Sequence, residues 1–280
     1  MLVKTEAIVL HSFKYGERRI IVDMFTREHG RLSFIVPLPS SAKGRMKKQY
    51  FQPLTLLSIE CDVRQQAQLQ KLHEAALLAP LPSLLTEPGK LAIGLFVAEF
   101  LYHALKGEQQ NMLLFDYVRG SIEWLDGCTG SYANFHLVFL MRLSRFLGFY
   151  PNLEDEERFL KNKVWGAKKS SCEAACPPQR NGERGAHDKP HEAVSPPHPF
   201  FDLRAASFCP SAPTHTDFLM PQEASHISVL MRMDYPTMHV FRLSRADRNR
   251  ILEILLRYYR LHLPAFPEMR SLAVLHELFG

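Results

Sequence analysis

A chain of 280 residues, at roughly 100–200 residues per domain, has length for two domains or one large one. Its 46% hydrophobic and 22% charged residues are ordinary for a soluble globular protein, and five scattered cysteines, an odd number, do not form the framework of a disulfide-stapled secreted domain. The net charge of +5 favours an acidic partner.

Residues 3–77 read as β structure. Lys4–Leu10 supplies a first strand, and Ile20–Thr26 is rich in strand formers. Arg31–Val36 puts Leu32, Phe34 and Val36 on one face, and the short connection Arg27-Glu-His-Gly30 joins these two runs as a hairpin. Leu57–Val63 alternates apolar and polar residues, the period-2 pattern of a half-buried strand, and a weaker segment near Leu69–Ala75 makes the fifth. Five strands without intervening helices predict a small barrel of the OB type, with an SH3-like barrel as the alternative. The expected fold is therefore α+β and multi-domain, with a five-stranded barrel domain at residues 1–79.

From Pro80 the period changes to that of helices. Leu91, Leu95, Ala98, Leu101, Tyr102 and Leu105 are expected to form one helical face, and Tyr132–Leu147 a second helix through Phe135, Phe139, Leu140, Leu143 and Leu147. Ser244-Arg-Ala-Asp247 has the form of an N-terminal cap, followed by Ile251, Ile254, Leu255 and Tyr258 and closed by Pro264. Residues 80–280 are thus a mainly helical domain. Within it, residues 161–199 carry few large apolar side chains and many Pro, Gly and charged residues, which predicts a flexible insertion. The apolar run Leu91–Leu105 is too short to span a bilayer, and the start of the chain, with Lys4 and Glu6, does not read as a signal peptide. A reducing cytoplasm and no membrane partner are the expectation.

Charge is unevenly distributed. Residues 1–80 hold twelve Lys/Arg against seven Asp/Glu, an excess equal to that of the whole chain. The densest basic stretch is Ser40–Tyr50, where Lys43, Arg45, Lys47 and Lys48 surround Gly44, with Tyr50 and Phe51 following as candidate stacking surfaces. Its two readings are a loop that tracks phosphates and a solvated loop beside two barrel-core aromatics. A second candidate is the pair Arg142 and Arg145, which share a helical face beside Phe139, Phe146 and Phe149. Such a groove suits a short acidic peptide, and its alternative is core packing with two surface arginines.

Chemistry-bearing motifs are sparse. The sequence contains no phosphate-binding Gly-x-x-x-x-Gly-Lys-Ser/Thr, no Gly-x-Gly-x-x-Gly, no Gly-x-Ser-x-Gly and no His-Glu-x-x-His. The carboxylate run Glu154–Glu157 reads as a solvated loop or helix start. Cys172-x3-Cys176 and His187-x3-His191 approach zinc-finger spacing. The interval between them lacks the apolar residues that build a core around a metal, so no metal and no cofactor are assigned.

The order of Ala7-Ile-Val-Leu10, Tyr15-Gly-Glu17, Phe25-Thr26, Gly30-Arg-Leu32, the basic loop, Gln52-Pro-Leu54 and Leu143–Pro151 resembles the bacterial recombination mediator RecO family, in its Bacteroides-type branch. The resemblance spans the chain apart from the insertion. It implies an OB-fold domain followed by a helical domain, and no enzymatic activity. It also implies binding to single- and double-stranded DNA, strand annealing, partnership with RecR, and contact with the C-terminal tail of single-strand-binding protein during recombinase loading. On this reading Lys14, Arg18, Arg19, Arg31, Lys43, Arg45, Lys47 and Lys48 face DNA, Arg142 and Arg145 face the acidic tail, and no small-molecule substrate is involved. The rival reading is a non-catalytic scaffold whose barrel contacts protein. Many members carry two Cys-x-x-Cys pairs that bind zinc. Here Cys172 and Cys176 have altered spacing, and Cys209 has Ala212 where a partner would stand, so the site reads as degenerate.

Overall fold

The computed structural model describes residues 2–37, 47–64, 67–152 and 199–278. Two compact units are present, one of residues 1–148 and 233–280 and one of residues 149–232. The expected boundary after residue 79 lies inside the first unit, between a strand and a short helix.

The first unit opens with a closed barrel of β1 (Leu2–Tyr15), β2 (Arg19–Thr26), β3 (Gly30–Pro37), β4 (Leu56–Asp62) and β5 (Gln70–Ala79), ordered β1-β2-β3-β5-β4. All neighbours are antiparallel except β3 and β5, which run parallel at Phe34↔Gln70 and Ile35↔Lys71. This is the OB arrangement, closed through the β1–β4 and β3–β5 pairings. The interior is filled by the alternating set Val9, Val22, Met24, Phe34, Val36, Leu57, Ile59 and Leu72. The strands start close to their expected positions, and β5 runs on to Ala79. The larger departure is in β1, which continues to Tyr15 where the expected strand ends at Leu10.

Alternation in burial fails in the middle of β1 because both faces are covered. Ile8 and Leu10 are fully buried although they point away from the barrel core. Phe25, the ladder partner of Ile8, packs its ring against Phe115, 5.8 Å away. Around this contact Arg119 donates to Glu6 at 2.9 Å and Arg27 to Asp116 at 3.1 Å.

The helices are α1 (Pro82–Thr86), α2 (Pro88–Ala104), α3 (Met112–Gly127), α4 (Phe135–Phe146), α6 (Arg245–His262) and α7 (Leu272–Leu278), with α5 (Pro221–Arg232) in the second unit. The expected face of α2 is wrong at its first two positions. Leu91 and Leu95 are exposed, and Ile93, Phe96, Val97 and Phe100 are buried instead. The helix is apolar on most sides, so periodicity could not single out the covered face. α4 lies at the centre, with Phe135, Leu137, Phe139, Leu140 and Leu143 all buried. The Tyr259 hydroxyl of α6 donates to the Leu140 carbonyl at 2.7 Å. At the start of α6, the backbone N–H of Asp247 donates to Ser244 Oγ and that of Ser244 to the Asp247 carboxylate, both at 3.1 Å, closing the expected capping box.

A buried ammonium ties α2 to the end of α3. Lys90 is 1% exposed, and its Nζ donates to the Ser83 hydroxyl at 2.5 Å, the Asp126 carbonyl at 3.0 Å and the Cys128 carbonyl at 2.7 Å. Glu87 completes the pairing at 3.2 Å.

In the second unit, β6 (Phe200–Asp202), β7 (Ser207–Cys209) and β8 (Phe218–Leu219) make a small antiparallel sheet ordered β7-β6-β8. A strand begins at Phe200, and Phe201 packs edge-on against Phe208 at 4.9 Å.

Candidate nucleic-acid interface

The site begins with the length of β1. Ala7 and Ile8 are the last residues of β1 that pair with β4, and a register shift between Val9 and His11 then bends the strand. Beyond the shift, β1 pairs with β2 alone through Ser12↔Val22, Lys14↔Ile20 and Tyr15↔Arg19. A bulge of this kind increases local twist and re-aims side chains. The β1–β2 hairpin, whose second strand stays paired with β3 through Arg19↔Pro37, turns at Gly16, whose φ of 68° is the left-handed conformation that favours glycine.

This hairpin carries three of the expected DNA contacts. Lys14, Arg18 and Arg19 are all exposed on it, with Glu17 the acid among them. Opposite lies a one-turn 3-10 helix, Lys48–Phe51, held to β1 where the Ser12 hydroxyl donates to the Phe51 carbonyl at 2.8 Å. Lys14, Glu17, Lys48 and Gln49 line one open cleft of about 850 Å3 there. Lys47, also exposed, precedes the turn. Lys43 and Arg45 lie outside the described residues.

Arg31 is not part of this surface, which corrects the expectation. It pairs with Phe25, at the opposite end of the β2–β3 ladder from Arg19, so it is displaced by about 20 Å of strand. Its guanidinium is engaged at the helix face. Nη1 donates to the Tyr102 carbonyl at 2.6 Å, Nη2 lies 3.8 Å from Asp23, and the group stacks 4.4 Å from the Tyr102 ring centroid. Only 14% of the side chain is exposed. Arg31 fastens the barrel to α2.

Of the two readings of Tyr50 and Phe51, the packing favours the barrel-core one. Phe51 is 2% exposed within the barrel core and Tyr50 packs against it. Exposed aromatics occur instead on the hairpin, where Phe13 and Tyr15 are 42% and 47% accessible. His11 lies beside Phe13, with ring centroids 5.7 Å apart, and 4.8 Å from Tyr102. Arg19 sits 5.8 Å from the Tyr15 ring centroid. Sequence reasoning missed these rings by ending β1 at Leu10. The alternation His11-Ser-Phe-Lys-Tyr15 was the available signal.

The residues now in place are cations on the β1–β2 hairpin at one end of an OB barrel. Residues 1–81 match the family described as Recombination protein O N terminal, and residues 85–193 that described as Recombination protein O C terminal. The chain belongs to the recombination protein O family. It is 45% identical over 280 residues to the DNA repair protein RecO of Phocaeicola vulgatus and 44% identical to that of Bacteroides fragilis, with 100% of both chains covered in each case. The protein of the same name from Porphyromonas gingivalis is 32% identical over 281 residues. The expected membership, OB-type barrel and helical remainder are therefore shown.

On α4, Arg145 is exposed, while Arg142 pairs with Asp234 and reaches the Met233 carbonyl at 3.4 Å. Phe139 does not border a groove. It is fully buried, and Tyr117 stacks on both Phe139 and Phe146.

Of the zinc ligands that the family resemblance implies, Cys172 and Cys176 lie outside the described residues, as do His187 and His191. Cys209 Sγ donates to the Phe200 carbonyl at 3.8 Å. Burial, with Asp202 nearby, raises its pKa and favours the thiol over the thiolate that a metal requires. Among the described residues no group of three His, Cys, Asp or Glu side chains is placed to hold a metal. No helix among these residues is long and apolar enough to cross a membrane.

Proposed function

We propose that the chain is a non-catalytic recombination mediator in DNA repair, which binds single- and double-stranded DNA through its barrel and anneals complementary strands. Together with RecR it helps load the recombinase onto strands coated by single-strand-binding protein, in the cytoplasm. Arg142 and Arg145 are proposed to meet the acidic tail of that protein. Family membership supports this reading, and the observation that carries it is the placement of exposed Lys14, Arg18 and Arg19 at the end of the β1–β2 hairpin, with Lys14 and Lys48 lining the cleft beside it. Cations so placed neutralise phosphates irrespective of base sequence and release counterions.

The test is fluorescence anisotropy of the full chain on labelled DNA across a salt series. Replacing Lys14, Arg18, Arg19 and Lys48 by alanine should weaken binding to all sequences alike. It should also lower the log–log salt slope by roughly 0.7–0.9 for each phosphate that is no longer neutralised. Arg31→Ala serves as the control and should leave the slope unchanged. An unaltered slope in the quadruple variant refutes the site. Absence of binding by the wild type at low salt favours a protein-contacting scaffold.

A further inference from the structure

We infer that Phe13 and Tyr15 form a base-stacking platform that gives the barrel a preference for single-stranded over duplex DNA. The inference rests on the DNA-binding reading above and assigns the source of strand selectivity within that same site.

The two rings stand on one face. β1 places His11, Phe13 and Tyr15 opposite Asp23, Ile21 and Arg19, and alternate residues of a strand are separated by about 7 Å. The two ends of this aromatic row differ. At the inner end His11 and Arg31 both approach the Tyr102 ring, so the Tyr102 face is already occupied. At the outer end Phe13 and Tyr15 keep 42% and 47% of their surface accessible, beyond the point where β4 stops pairing with β1. Further back along the same two strands this outward face is sealed by the helices, at Ile8 and Phe25.

The charge around the platform identifies its occupant. Arg19 lies 5.8 Å from the Tyr15 ring centroid and exposed Arg18 precedes it in the turn, while Lys14, between the two rings in sequence, points to the other face of the strand. Across the sheet, the row Phe13, Ile21, Ile35 ends in exposed Lys71 on β5. A polyanion with accessible flat faces matches exposed rings bordered by cations. Unpaired strands offer such faces, whereas a duplex keeps its bases stacked inside and presents only phosphates and groove edges. Stacking on an aromatic side chain is also tolerant of base identity, which suits a protein that must act on any sequence.

The experiment measures binding of the full chain to oligothymidine and to a duplex, each across a salt series. Phe13→Ala and Tyr15→Ala are each expected to lower single-strand affinity about fivefold or more, with duplex affinity and both salt slopes unchanged. Tyr15→Phe should retain binding, since it keeps the ring. A Phe13→Trp variant should lose indole fluorescence on adding oligothymidine and not on adding duplex. Equal losses on both substrates, or unchanged single-strand affinity in the two alanine variants, overturn the inference while leaving the cationic site intact. If the wild type binds neither substrate, the DNA-binding reading itself fails.

Discussion

Gly30 offers a controlled test of how the barrel is joined to its helices. Its φ is 68°, the same as that of Gly16, so alanine carries similar backbone strain at either position, roughly 1–2 kcal/mol. The surroundings differ. A Cβ on Gly16 meets nothing within 4 Å, whereas one on Gly30 would stand 2.5 Å from the Glu108 carbonyl oxygen and from the backbone carbon of Gln109. Backbone atoms cannot swing aside as a side chain can, so the loop between α2 and α3 must move. That movement stretches the 3.1 Å hydrogen bond from the Arg31 N–H to the Glu108 carbonyl, worth roughly 1 kcal/mol. Overpacking adds roughly 1–3 kcal/mol. Gly30→Ala should therefore cost about 3–6 kcal/mol and Gly16→Ala about 1–2 kcal/mol. Urea unfolding followed by circular dichroism, with the slope checked for constancy, gives the two values directly. Equal losses at the two glycines would show that crowding against the loop contributes nothing.

Two further outcomes follow from buried charges. Lys90→Ala removes the ammonium from the Ser83 hydroxyl and the Asp126 and Cys128 carbonyls, leaving these acceptors unpaired, and should destabilise by about 1–3 kcal/mol in urea titration, with Lys90→Met less harmful because it keeps the packed stem. A loss under about 1 kcal/mol in the alanine variant contradicts that role. Burial, with the Arg248 and His276 charges nearby, holds the pKa of His136 down at about 3 against an ordinary 6.5. The unfolded chain takes up this proton as pH falls through 6.5 and the folded chain only near 3, so stability should decline with acidification between those values. The contribution is on the order of 5 kcal/mol at the acid end, each pH unit being worth about 1.4 kcal/mol. His136→Leu should flatten the dependence, and an unchanged slope in stability against pH would count against it.

The barrel was legible in the sequence because most of its strands are runs rich in strand formers or alternating with period 2, and no stretch of α-helical period separates them. The capping box at Ser244 was legible for a similar reason, since its chemistry lies within four residues. α3 was equally readable and overlooked. Asn111 caps it by accepting the Leu114 N–H at 3.0 Å, and Leu114, Phe115, Val118, Ile122 and Leu125 form its buried stripe. The covered face of α2 was not legible, because an almost wholly apolar helix has no polar side to mark the solvent. Neither was the fate of Ile8 and Phe25, whose burial depends on helices far along the chain.

The arginines show why charge alone does not define the interface. Arg19 and Arg31 belong to the same pair of strands, and nothing local separates them in sequence. What separates them is the register. Arg19 faces Tyr15 where β1 has lost β4 as a neighbour while β2 stays paired with β3 through Arg19↔Pro37, whereas Arg31 faces the end of α2, where a carbonyl, a carboxylate and a ring hold its guanidinium. A guanidinium held in this way would have to exchange partners to meet a phosphate, and any new contact would be offset by those it gave up. An exposed guanidinium at the hairpin tip instead exchanges mainly water and counterions, so its attraction to a polyanion is retained. The register shift between Val9 and His11 determines where the free part of β1 begins. A few residues of strand that belong to no second neighbour thus convert an ordinary basic composition into a located surface.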